Sequence, residues 1–131
     1  MTHAPLLIAD DSMQKILLLE HFLKKAQWTT PVLIAHSGSE ALRMIDEHPD
    51  IAFGLIDFYM PDHNGPAVIA HLKQKNPAAR IALVSSADNE ENFTKARAAG
   101  AETCICTSYE SHVVEQTIME LIESWKVDLV S

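Results

Sequence analysis

The chain predicts an α/β fold with an all-parallel sheet covered on both faces, and three observations carry that expectation. Short apolar runs recur at 6–9, 31–35, 51–56, 81–84 and 102–106. Segments with apolar residues at helical spacing lie between and after them. The runs are apolar without a clean polar alternation, as expected of strands buried on both faces.

Each element follows from its residues. Leu6-Leu7-Ile8-Ala9 is the first strand, ended by the acidic pair Asp10-Asp11. Residues 12–26 read as a helix capped by Ser12, with Ile16, Leu19, Leu23 and Ala26 on its apolar stripe. Leu18 falls on the otherwise polar stripe of Gln14, His21 and Lys25, which marks it as an exposed leucine and a candidate docking residue. Residues 31–35 form the second strand, and Ser37-Gly38-Ser39 leads into a helix carrying Ala41, Leu42 and Ile45, stopped before Pro49. The third strand runs over 51–56. Gly65-Pro66 opens the next helix, with Pro66 suited to a first helical turn, and Asn76-Pro77 closes it. A fourth strand over 81–84 precedes a helix from Glu90 to Ala99, which Gly100 stops. After the fifth strand, Val113, Val114, Thr117, Ile118, Leu121, Ile122 and Trp125 make the stripe of a terminal amphipathic helix.

Composition bounds the function. At 131 residues the chain is expected to be a single domain, 1–131, with one core. A net charge of −8 argues against nucleic acid, whose phosphates demand clustered Lys and Arg. No apolar run approaches the roughly 20 residues of a membrane span, and the N-terminal residues lack a basic leader pattern, so a cytoplasmic location is the expectation. Cys104 and Cys106 form a C-x-C pair in an apolar strand, which reads as two free thiols on one face.

The chemistry-bearing residues converge. Asp10 and Asp11 follow the first strand, Asp57 ends the third, Ser85 and Ser86 end the fourth, and Thr107 ends the fifth. In a parallel sheet all of these lie at the carboxyl edge, where open α/β sheets bind ligands. Clustered carboxylates there can hold a hard divalent cation while one oxygen serves as a nucleophile. Of the seven histidines none has ligand spacing, and His63 reads as a loop residue.

Taken together, these residues resemble the receiver domain of two-component response regulators along the whole chain. The resemblance rests on Asp10-Asp11, the run Ala35-His36-Ser37-Gly38-Ser39-Glu40-Ala41-Leu42, Asp57 with Pro61 and Gly65 after it, Leu83-Val84-Ser85-Ser86, and Arg97-Ala98-Ala99-Gly100-Ala101. It implies a doubly wound five-stranded, flavodoxin-like fold and a signalling module in place of an enzyme acting on other substrates. It further implies Asp57 as phosphoacceptor and Mg²⁺ held by Asp11, Asp57 and the backbone carbonyl of Tyr59, with Asp10 positioning a metal-bound water. Ser85 becomes the switch hydroxyl. The implied partner is a histidine kinase or histidine phosphotransfer protein, with a homodimer left open and no output domain expected.

One departure stands out. Receivers usually carry a lysine on the fifth strand, a proline after it and an aromatic three residues before it. Counting from Gly100, those positions hold Thr107, Ser108 and Cys104. The expectation is therefore a site with its acids and hydroxyl but without its cation or aromatic reporter. The rival reading is a pseudo-receiver, a docking module that works without phosphorylation. A phosphohydrolase on a similar fold is disfavoured because no second acid stands two residues after Asp57.

Overall fold

The computed structural model describes residues 3–129. Its elements are β1 (Leu6–Ala9), α1 (Met13–Lys25), β2 (Val32–Ala35), α2 (Gly38–Glu47), β3 (Phe53–Ile56), α3 (Gly65–Lys75), β4 (Arg80–Ser85), α4 (Glu90–Ala99), β5 (Thr103–Cys106) and α5 (Ser111–Lys126), with a 3₁₀ turn over Val127–Leu129. All strand pairings are parallel and the order is β2-β1-β3-β4-β5. The fold class expected from the sequence is the one observed.

Local chemistry sets the boundaries. Ser12, Ser37, Asn64 and Asn89 each accept a backbone N–H of the helix they cap. Gly100, at φ 125°, closes α4 in a region that side chains rarely enter. The observed strands differ from the expected spans by one or two residues at their ends: β3 starts at Phe53, and β4 extends from Arg80 to Ser85.

Two apolar layers cover the sheet. On one face Leu7, Ile56, Ile81 and Leu83 pack with Ala41 and Ile45 of α2, Val68, Ile69 and Leu72 of α3, and Phe93 and Ala96 of α4. On the other, Leu6, Ile8, Phe53, Leu55 and Val84 meet Ile16, Leu19, Phe22 and Leu23 of α1 and Val114, Ile118, Ile122 and Trp125 of α5. Cys106 and Cys104 both join the first layer, on one face as expected, and their thiols are free. The α5 stripe is narrower than its sequence promised, since Val113 is exposed and Leu121 half-buried. Leu18 is also corrected: it packs half-buried against the second layer, and Met13 and Leu17 are the exposed apolar residues of α1. Among the described residues, no helix is long and apolar enough to cross a membrane.

Strand order places the site. Neighbouring β1 and β3 send their connections to opposite faces, opening a crevice at their carboxyl ends. Ala9 pairs with Ile56 in register, so the next residues of the two strands, Asp10 and Asp57, emerge side by side.

Candidate functional site

Asp57 begins the loop after β3 and its backbone is fixed before its side chain is considered. Its N–H donates to the Ala9 carbonyl at 2.9 Å, extending the β1–β3 ladder by one step. Gly65 then passes so close that a Cβ there would stand 2.4 Å from the Asp57 carbonyl oxygen. The Gly65 N–H also donates to the Phe58 carbonyl at 2.7 Å, so the loop is pinned across its base. A glycine eight residues after the acid is thus a packing requirement of this turn.

Asp10, Asp11 and Asp57 come together as the sequence predicts, with one carboxylate oxygen from each lying within 4.8 Å of the others. Asp10 and Asp57 are buried and Asp11 is exposed, so the cluster opens to solvent on the Asp11 side. Three hard oxygen donors at such separations fit a divalent cation of the Mg²⁺ type, which takes a few carboxylates and completes its shell from other oxygens. Ser85 is buried at the end of β4 and its Oγ accepts the Ala87 N–H at 3.2 Å. Thr107 is half-buried beyond β5, where its N–H donates to the Ser85 carbonyl at 2.8 Å. Tyr59 is exposed and its hydroxyl accepts from the Asn92 side chain on α4 at 2.9 Å, so its ring leans toward α4. Cys104 lies half-buried on β5, its thiol donating to the Phe93 carbonyl at 3.7 Å and pushed up in pKa by burial.

One site residue went unread in the sequence, and it overturns the expectation of a cluster without a cation. Lys15, from the first turn of α1, is buried with its Nζ 2.8 Å from Asp57 Oδ1 and 2.9 Å from Asp10 Oδ2. The lysine missing from β5 is matched by one from the opposite side of the crevice. A signal for it existed. Lys15 stands four residues before Leu19 and seven before Phe22, so it belongs to the buried stripe of α1. It also sits in a first helical turn that contains no acid, where a cation opposes the helix dipole.

A closed ring of bonds holds this arrangement. Ser12 N–H donates to Asp10 Oδ1 at 2.8 Å, Ser12 Oγ accepts the Lys15 N–H at 3.3 Å, and Lys15 Nζ returns to Asp10 Oδ2. Asp57 Oδ1 accepts both Lys15 Nζ and the Phe58 N–H at 2.9 Å, while Asp57 Oδ2 takes part in none of these bonds. Burial raises the pKa of both Asp10 and Asp57 and outweighs the lowering by Lys15. Desolvation is thus the leading cause, with carboxylate repulsion smaller. Three carboxylates and one ammonium leave the pocket a formal charge of −2, matched in magnitude by one divalent cation.

Fold and pocket together define an acidic crevice at the carboxyl edge of a doubly wound parallel sheet. The chain belongs to the response regulator receiver domain family, whose sequence pattern matches residues 6–124. It is 27% identical over 114 residues to the chemotaxis protein CheY of Listeria monocytogenes, covering 86% of this chain and 93% of that protein. The fold is shared with the phosphorylated cyanobacterial phytochrome response regulator RcpA, at a TM-score of 0.80 and 18% identity over 95% of this chain and 94% of that one. It is likewise shared with the Mn²⁺-bound response regulator Rcp1, at a TM-score of 0.78 and 17% identity over 93% and 94% of the two chains.

Proposed function

We propose that this receiver accepts a phosphoryl group on Asp57 with the help of Mg²⁺, taking it from a phosphohistidine of a histidine kinase or histidine phosphotransfer protein. The observation that carries the reading is the split in the Asp57 carboxylate. Oδ1 is committed to Lys15 and Phe58, and Oδ2 remains as the nucleophile. Mg²⁺ fits the oxygens of Asp10, Asp11 and Asp57, with the Tyr59 carbonyl as the further ligand that the family resemblance implies. When bound, the cation supplies charge neutralisation for the incoming phosphoryl oxygens, the largest need of such a transfer.

The chain's own residues do the rest. Asp10 anchors Lys15 and Ser12, holding the mouth of the crevice in place. Ser85, buried beside the β4 end, offers a hydroxyl to a phosphoryl oxygen, in the role of switch hydroxyl. The reading places the protein in the cytoplasm, where its phosphodonors act.

Intact-mass measurement after incubation with acetyl phosphate or phosphoramidate tests this directly. One added phosphoryl group is expected, and it should be absent in Asp57→Asn and in the presence of a chelator. An unchanged wild-type mass under conditions that label another receiver would sink the proposal and leave a phosphorylation-independent docking module in its place.

A further inference from the structure

We propose that Lys15 is the phosphoryl-binding cation of this receiver, so that the first turn of α1, in place of the end of β5, feels the phosphorylation state of Asp57. The inference rests on the reading of Asp57 as phosphoacceptor and goes beyond it by assigning a residue that sequence position alone would leave as an ordinary helix lysine.

The placement of Lys15 runs against local physics and needs a reason. A lysine in a first helical turn meets the positive end of the dipole, and burying its ammonium is unfavourable unless it is paired. Both penalties are offset by Asp10 and Asp57 at 2.9 and 2.8 Å. The ring through Ser12 fixes the helix start relative to Asp10, so the ammonium is held before any ligand arrives. Such preorganised charge is what transfer of a charged group requires.

The transfer itself changes what Lys15 faces. The N–P bond of the donor imidazole breaks and its electron pair stays on the ring nitrogen. A bond forms between phosphorus and Asp57 Oδ2. Asp57 thereby loses its carboxylate charge, while the phosphoryl group brings about two negative charges. Oδ1 becomes the carbonyl of an acyl phosphate, a weaker partner for an ammonium than the charged phosphoryl oxygens now carried through Oδ2. Lys15 exchanges its bond to Oδ1 for one to a phosphoryl oxygen while Asp10 remains its second partner. Because Lys15 lies within the first turn of α1, this exchange pulls on the turn that carries exposed Met13 and lies next to exposed Leu17. Thr107, at the family's lysine position, supplies no charge for the task.

Four proteins decide the matter: wild type, Lys15→Met, Lys15→Arg, and Lys15→Met combined with Thr107→Lys. Phosphorylation by phosphoramidate should slow on the order of 100-fold in Lys15→Met, the scale of losing one preorganised charge donor. Part of the rate should return in Lys15→Arg, and most of it in the double variant, where β5 supplies the cation. Calorimetric Mg²⁺ titration of the unphosphorylated proteins gives a second readout. Lys15→Met should bind roughly tenfold tighter, because no ammonium competes for the carboxylates. A purely structural lysine would predict the tighter Mg²⁺ binding but not the rescue of the phosphorylation rate by a cation from β5. If wild type labels and Lys15→Met labels equally fast, whatever its Mg²⁺ affinity, the inference falls while Asp57 stands. If wild type itself fails to label, both fall. Should Lys15→Met fail to fold, Lys15→Gln takes its place, and labelling of Lys15→Gln as fast as wild type would refute the role of Lys15.

Discussion

Removing the Lys15 ammonium should make metal-free stability strongly pH-dependent, and the size of the effect follows from the geometry. Lys15→Met keeps a flexible side chain of similar length, so little packing is lost. It leaves Asp10 and Asp57, both buried, without the cation now 2.9 and 2.8 Å away. Breaking a buried ion pair from one side costs about 3–5 kcal/mol when the remaining charge stays ionised. These carboxylates have an escape. Their folded-state pKa values already lie above the usual 3.8, mainly through burial, and loss of Lys15 pushes them higher. A raised carboxylate pKa means that the folded chain binds more protons than the unfolded one. Stability is then fullest below the unfolded value and falls as pH rises through the folded one. One extra proton retained by the folded variant over two pH units amounts to about 2.7 kcal/mol. The deficit against wild type should therefore be larger at pH 8.5, toward about 3 kcal/mol, than at pH 6. Urea melts of both proteins with chelator over that range measure it, staying above the sequence pI of about 5.2 to keep the chains soluble. Parallel stability curves for the two proteins would refute the reasoning, since they would mean that Lys15 does not compensate these carboxylates in solution.

Other outcomes follow from the same geometry. Thr107→Lys in the otherwise wild-type chain adds a second cation and lowers the formal pocket charge to −1, so Mg²⁺ affinity by calorimetry should fall about tenfold; unchanged affinity would mean that position 107 does not face the acids. Gly65→Ala should destabilise the fold by about 1–3 kcal/mol in urea, because its Cβ would meet the Asp57 carbonyl at 2.4 Å. Adding beryllofluoride and Mg²⁺ should shift backbone amides more strongly across Ser12 to Leu17 than across Phe93 to Ala99 or Val113 to Leu121; the reverse ranking would return the output to the last two helices.

Much of this molecule was legible because strands and caps are local properties. The four-residue apolar runs Leu6–Ala9 and Phe53–Ile56 are buried throughout, so their composition alone marks them. Ser12 and Gly100 declare the ends of their helices by side-chain chemistry and backbone freedom. Asp10, Asp57 and Ser85 were placed by the parallel sheet, which sends every strand's carboxyl end to one edge. Leu17 and Leu18 were harder. Adjacent residues differ by about 100° around a helix, and which of two leucines turns outward depends on how α1 sits against β1 and α5.

Lys15 was hidden for a different reason. Its meaning arises only from a tertiary encounter, the first turn of α1 crossing above the end of β3, 42 residues away in the chain. Scanning β5 for a lysine treats the cation as a property of one position, yet the electrostatic need belongs to the pocket. A site with three carboxylates clustered within 4.8 Å, two of them buried, requires positive charge from whichever element can reach it. α1 reaches it because Ser12 starts the helix one residue after Asp11, which puts Lys15 over the crevice. On the proposed reading, the place of the cation bears on signalling. A lysine on β5 would tie the phosphoryl group to the strand beside α4 and α5, whereas on the proposed reading Lys15 ties it to α1, which shares the second layer with α5. Cys104 adds to the shift, since its small thiol, held to the Phe93 carbonyl, has no ring to relocate. On the proposed reading, a fifth strand with neither lysine at 107 nor aromatic at 104, together with Lys15 at the acids, moves the readout to the α1 face that carries Met13 and Leu17.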